Sequence, residues 1–160
     1  MYVLFFIELE RRLVWLGGVS PYPTTQQARN LAMALGDRAT RVKFLIRDRD
    51  AKFVASFDTV LKGEGIRVVK TPIRAPRANA YAERWVRSVR AECLDWVLIW
   101  NRRHLERVLS AYVAHYNFAR PHRGIGLEVP VAPDTVPPRT GPTERVDVLG
   151  ELIHEYRQAA

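Results

Sequence analysis

The sequence has little sulfur and few histidines: one cysteine, Cys93, with two methionines and four histidines in 160 residues. A single cysteine cannot close an internal disulfide, and no Cys/His group has zinc-site spacing. Cys93 reads as a reduced residue on the apolar face of a helix, which fits a cytoplasmic compartment. Long hydrophobic runs are also missing. The opening stretch, residues 1–7, is apolar but short, and Glu8 interrupts it. It has no basic leader and no small-residue cleavage site, so it reads as neither a signal peptide nor a membrane span, and no membrane partner is expected. Acid is in deficit, with 17 Asp and Glu against 25 Lys and Arg. The resulting net charge of +8 and pI near 10.1 point to a polyanion partner, usually nucleic acid.

The position of the charge is more informative than its sum. Arg67, Lys70, Arg74, Arg77, Arg84, Arg87 and Arg90 face only Glu83 in that window, and Arg102, Arg103, Arg107, Arg120 and Arg123 follow. Arginine dominates, and its planar fork suits phosphate.

Residues 2–8 and 13–19 are β-rich runs around the polar turn Glu10, Arg11 and Arg12, which predicts an antiparallel hairpin. Pro21 and Pro23 break the chain. Thr24 or Thr25 then caps a helix through about Leu35, ending at Gly36. Residues 42–47 form a short strand that runs into Asp48. Phe53, Phe57, Val60 and Leu61 recur at helical spacing until Gly63 and Gly65, and residues 66–70 form another strand. Strand, helix and strand at this length make a right-handed βαβ unit with parallel strands. After a Pro-broken loop over 72–79, a helix of about twenty residues is expected from Ala80, with Trp85, Val89, Leu94, Val97 and Leu98 on its apolar face. A second helix is expected from about Arg103 to Asn117. Residues 128–142 are Pro-rich and expected to be extended, and residues 146–156 form a last helix or strand that docks back. Trp85, Trp96 and Trp100 read as core. The whole is a mixed α/β plan.

Asp48 follows a parallel strand, where sites gather in open α/β sheets. Glu83 lies 35 positions later, in the first turn of a helix, where it also complements the helix dipole. Either carboxylate alone would be unremarkable. In order along the chain, however, stand I-R-D-R-D-A-K-F, A-P-R-A-N-A-Y-A-E-R and Y-N-F-A-R-P-H-R. Together these segments resemble the catalytic core of DDE-type transposases and integrases, as in bacterial insertion sequences and retroviral-type integrases. Asp48 with Phe53 matches the motif of the second catalytic aspartate, although Asp50 replaces the usual glycine. Pro76, Asn79, Glu83 and Arg84 match the motif of the glutamate, and Tyr116, Asn117, Arg120, Pro121 and His122 match the insertion-sequence hallmark.

The resemblance implies a ribonuclease-H-like mixed sheet with flanking helices. It also implies Mg2+- or Mn2+-dependent cleavage and joining of DNA phosphodiesters, with Asp48 and Glu83 as catalytic metal ligands. Two metals ~3.5–4 Å apart would activate the attacking oxygen and stabilise the leaving one. Arg84, Arg87, Arg90, Asn79, Arg77 and Arg74 are the candidate DNA contacts, and His122 reads as a DNA contact or as a structural tie between helix end and core. The implied partners are transposon-end and target DNA, another copy of the chain, or a full-length transposase. The expected organisation is a core over residues 1–127, a Pro-rich linker over 128–145 and a tail over 146–160.

The family's first aspartate lies on a central strand that precedes the hairpin. No aspartate precedes Asp37, which reads as a helix cap or loop residue, and nothing aims Glu8 or Glu10 at Asp48. The expectation is an N-terminally truncated core, inactive as it stands. The alternative is a catalytically dead remnant that binds DNA or a transposase. Without the central strand, two sheet edges would face each other across a gap. Either the hairpin slides over to pair with strand 42–47, or the fold is loose.

Overall fold

The structure, a computed structural model, describes residues 2–20, 25–36, 42–51, 53–73, 79–132 and 141–158. The expectations for Arg74, Pro76, Arg77 and Asp37 fall outside these residues. The chain divides into two compact units. Unit 1 comprises residues 1–6 and 15–86, and unit 2 comprises residues 7–14 and 87–160.

The strands form three separate two-stranded sheets among the described residues. The first is the predicted hairpin, β1 (Tyr2–Ile7) with β2 (Val14–Ser20). Gly17 of β2 is required by close approach, since a Cβ there would meet the Phe6 ring at 2.8 Å. Helix α1 (Thr25–Leu35) follows.

The βαβ unit runs from β3 (Phe44–Arg47) through α2 (Ala55–Gly63) to β4 (Arg67–Lys70). The strands are parallel in the register Phe44–Arg67 to Arg47–Lys70. Gly65 ends α2 in the left-handed region at φ +77°. Its N–H reaches Lys62 O at 3.0 Å, and the Ile66 N–H reaches Leu61 O at 3.0 Å. This is the Schellman arrangement, and it turns the chain directly into β4. The unit 1 core is the shared apolar face of α1 and α2. Ala28, Leu31 and Leu35 pack with Phe57, Leu61 and Ile66, and Phe6 of β1 joins them. Ala28, Phe57 and Leu61 are fully buried.

The hairpin does not slide across to β3: β1 pairs with β2, and β3 pairs with β4. A cavity of about 240 Å³ lies between the two pairs, lined by Tyr2–Phe6 on one side and Leu45–Asp48 on the other.

Helix α3 (Ala80–Val89) is shorter than its periodicity predicts. It passes into a π-helical turn over Arg90–Leu94, closed by the Asp95 N–H bonding to Arg90 O at 2.9 Å. The chain then leaves the helix before α4 (Arg102–Phe118), which is capped where Asn101 accepts the His104 N–H at 2.9 Å. This overturns the placement of Trp96, Leu98 and Trp100 in an apolar helical face, since they are 72%, 77% and 78% exposed. The helix ends with the π-helical turn at Leu94, so a 3.6-residue count no longer applies to the residues beyond it. Trp85 and Cys93 are buried as expected.

The tail is a hairpin, β5 (Thr143–Val148) with β6 (Ile153–Gln158), in antiparallel register. It docks on α4 through Glu155, whose carboxylate meets His115 Nδ1 at 3.0 Å. Among the described residues, no helix is long and apolar enough to cross a membrane.

Candidate functional site

Asp48 stands directly after β3, at the carboxyl end of a strand parallel to β4. A neighbour that the sequence reading passed over fixes this turn. Arg47 is buried, with Nε 2.9 Å from Asp58 Oδ1 and Nη2 2.8 Å from Asp58 Oδ2 on α2. Its remaining nitrogen, Nη1, donates to the Asp48 carbonyl oxygen at 2.8 Å, and its guanidinium lies 4.9 Å from the Phe53 ring centroid. The paired guanidinium holds the Asp58 pKa below its ordinary value. Such a fork-to-fork pair has one good geometry, so Arg47 ties the end of β3 to α2 and orients the Asp48 peptide. The signal was the sequence spacing Arg47 to Asp58, across a strand and its crossover helix, but many such spacings occur without contact.

The Asp48 carboxylate is exposed, and its Oδ1 accepts the Asp50 N–H at 3.2 Å. Arg49 Nε donates to Thr71 O at 2.9 Å, clasping the ends of β3 and β4. Asp48, Asp50 and Asn79 line the cavity between the strand pairs, together with Ala82. Glu83 follows in the first turn of α3 and is exposed. This part of α3 is anchored by Trp85, whose ring stacks at a tilt on Phe5 of β1 with centroids 4.1 Å apart. Trp85 Nε1 is buried without a hydrogen-bond partner among the described residues, a cost of about 1–3 kcal/mol that the packing of the ring must offset.

Arg84, Arg87 and Arg90 are all exposed, Arg84 in unit 1 and the other two in unit 2. Arg90 meets Asp95 at 3.3 Å, but both side chains are at least half exposed, so the pair holds weakly.

The residues of the third motif lie inside unit 2 and serve its structure. The Asn117 side chain acts as a strand partner: its Oδ1 accepts the Val14 N–H at 3.0 Å, and its Nδ2 donates to Val14 O at 2.8 Å. Arg120 Nε bonds to Glu92 Oε2 at 2.8 Å, its Nη2 bonds to Oε1, and the Tyr112 hydroxyl donates to the same Oε2 at 2.7 Å. Burial works against the charged form of Glu92, but the hydrogen bonds from Arg120 and Tyr112 outweigh it and hold its pKa below the ordinary value. Burial, aided by Glu92, raises the Tyr112 hydroxyl pKa.

His122 packs edge-on against the Tyr116 ring at 4.2 Å and donates from Nε2 to Tyr116 O at 2.9 Å. This leaves Nδ1 to accept from Arg120 Nη1 at 3.4 Å, so the ring is neutral. Burial, with the nearby Arg120 charge, lowers its pKa. Of the two roles considered for His122, these contacts supply the structural one. Tyr112 and Glu92, which complete the network, belong to no motif and were not singled out from the sequence.

Residues 64–130, under half of the chain, match the family model described as integrase core domain. The chain is integrase- and transposase-core-like. The matched stretch contains Glu83 and the third motif and begins after Asp48. No curated protein matches the chain.

Integrase-core proteins generally use divalent metals. Magnesium prefers carboxylate oxygens, and holding two ions takes about three carboxylates from different elements. Among the described residues, no three His, Cys, Asp or Glu side chains gather where a metal would be held. Asp48 and Glu83 together offer two carboxylates, and this donor set does not by itself make a two-metal centre.

Proposed function

We propose that this chain is a DNA-binding transposase or integrase core whose phosphodiester chemistry is incomplete as it stands. The observation that carries the reading is local to unit 1. A carboxylate ends a parallel strand at Asp48, Asn79 lines the same cavity, and Glu83 opens the helix that follows. The integrase-core match over residues 64–130 supports it. In this reading the Glu83 carboxylate faces Asp48 within a ribonuclease-H-like arrangement. Arg84, Arg87 and Arg90, with Arg74, Arg77 and Asn79, hold the DNA backbone. Residues 1–127 act as the core, 128–145 as linker and 146–160 as a docked tail, working in the cytoplasm where the DNA is.

The second reading is a catalytically dead module that binds DNA or a transposase, and the two-carboxylate donor set favours it. Small misplacement of a reacting oxygen costs about a hundredfold in rate, and loss of a metal costs charge stabilisation as well. The chain alone is therefore expected to bind duplex DNA at low salt and to give no Mg2+- or Mn2+-dependent strand joining on a plasmid target. Joining by the chain that disappears with Asp48→Asn would overturn the claim of an incomplete site. Absence of DNA binding at low salt would overturn the first reading and leave of the second only the module that binds a transposase.

A further inference from the structure

We propose that the segment between the π-helical turn and α4 is a platform on which unpaired DNA bases stack, with Trp96 and Trp100 as the stacking groups. Burial alternates along it. Over residues 96–100, Trp96, Leu98 and Trp100 are exposed, while Val97 and Ile99 between them are partly buried. In a non-helical stretch, residues spaced by two share a side. The inward pair therefore ties the segment down, and the other three hold two indoles and a leucine in water. A patch of large apolar side chains this dense marks an interaction surface.

Both rings are held in place. Trp96 Nε1 donates to Ala91 O at 2.7 Å, and the Trp96 main-chain N–H reaches Cys93 O at 3.1 Å. The one polar group of this indole is thus satisfied within the chain, and what it offers a ligand is its π surface. Trp100 is braced edge-to-face by His104 in the first turn of α4, with centroids 6.4 Å apart and planes at 82°. Rings already fixed lose little freedom when a ligand settles on them.

The charge around the patch selects a polyanion. Arg87, Arg90, Arg102, Arg103 and Arg107 flank it along the chain, against Glu92, Asp95 and Glu106. Each of these carboxylates is already met by an arginine: Glu92 by Arg120, Asp95 by Arg90 and Glu106 by Arg102. Arg87, Arg103 and Arg107 are therefore surplus positive charge, and all three are exposed. Arg103 and Arg107 stand four positions apart on α4, opposite the face that buries Val108, Leu109 and Tyr112. Aromatic faces among cations suit single-stranded nucleic acid: the arginines take the phosphates, and each base stacks by its π face. Inside a duplex those faces are covered by neighbouring bases. The ligand is therefore an unpaired base, in a single strand or at an opened duplex end. This inference rests on the DNA-binding reading and adds to it a preference for unpaired nucleotides, carried by residues outside the three motifs.

The test sets two fluorescein-labelled probes against the full chain at low salt. One is oligothymidylate of ~12 nucleotides, within the span that one single-strand-binding fold covers. The other is a duplex of similar length whose ends are closed by non-nucleotide linkers, so that it offers no unpaired base. Trp96→Ala combined with Trp100→Ala is expected to weaken oligothymidylate binding about 25-fold or more, from at least about fivefold for each stacked ring. Binding of the closed duplex should change by no more than about twofold. Trp96→Phe combined with Trp100→Phe keeps planar rings and should recover most of the loss. Saturating oligothymidylate should also quench the indole emission of the parent chain, a reading that needs no variant to fold. Absence of quenching, equal losses on both probes, or no recovery with phenylalanine would overturn the proposal. Oligothymidylate binding that survives the alanine pair, while binding to anionic vesicles or self-association is lost, would assign the patch to a lipid surface or a second copy instead. A chain that binds the closed duplex but not oligothymidylate would sink this inference alone, whereas one that binds neither would sink the DNA-binding reading beneath it.

Discussion

Unit 1 and unit 2 differ in how they place the polar residues singled out above. In unit 1, Asp48 and Glu83 are exposed at the ends of secondary-structure elements, and the buried pair Arg47–Asp58 braces the strand end beneath one of them. In unit 2, Asn117, His122 and Glu155 are buried, and each is bonded to a named partner. The difference separates motif residues that are free to meet a ligand from motif residues already engaged in holding the fold. A buried polar group with all its partners rigidifies its surroundings, and it cannot turn to a substrate without leaving those partners unsatisfied.

The largest effect expected from this contrast is on stability. Asn117→Ala should destabilise the chain by about 2–6 kcal/mol, because it strips both main-chain groups of buried Val14 of their partners at about 1–3 kcal/mol each. Urea unfolding measures this, and a loss under 1 kcal/mol would show that Asn117 is not a structural tie.

The next test sets exposed arginines against an engaged one. Replacing Arg87 and Arg90 together with alanine should lower the log–log salt slope of DNA binding by up to ~1.8, at ~0.9 per phosphate. Arg120→Ala should instead cost stability and leave the slope alone. An unchanged slope in the double variant would remove this stretch of chain from the DNA surface.

Acid should weaken unit 2 in two stages. Burial, the largest effect, lowers the His122 pKa from its ordinary value near 6.5. The unfolded chain therefore takes up a proton that the folded chain resists, and stability falls as pH drops below about 6.5. The Glu92 and Glu155 pKa values are held low, because partner hydrogen bonds outweigh burial. Their contribution is intact above about 4.5 and is lost as pH falls further. His122→Gln should flatten urea midpoints between pH 7 and 5.5. A slope equal to that of the parent chain would assign the first stage to another group.

The smallest effect belongs to unit 1. Asp48→Asn and Glu83→Gln should change stability by no more than about 0.5 kcal/mol each, as expected of exposed positions. A loss as large as that of Asn117→Ala would erase the contrast between the units.

Much of this arrangement is local and so was legible along the chain. The hairpin, the parallel β3–α2–β4 unit and the position of Asp48 after β3 follow from periods of two and 3.6 and from Gly63 and Gly65 as stops. Glu83 in a first helical turn and Trp85 on a buried face follow from the same counting. The tail was read as one element and is two strands, because Leu149 and Glu151 take left-handed conformations around Gly150 and fold the segment on itself. Residues such as leucine and glutamate carry no sign of that turn in their identity.

Element order, charge and the resemblance carried by three spaced motifs were thus determined by the sequence alone, because each depends on near neighbours or on residue identity. Tertiary structure decided which motif residues remain available. Asn117 is taken up by Val14, 103 positions away, and Arg120 by Glu92, 28 positions away. It also decided that the helix would end at a π-helical turn, with Trp96 and Trp100 exposed beyond it, and that β1 and β3 would stand on either side of a cavity. Pairings at such distances depend on which surfaces meet once the chain is compact, and no local period records them.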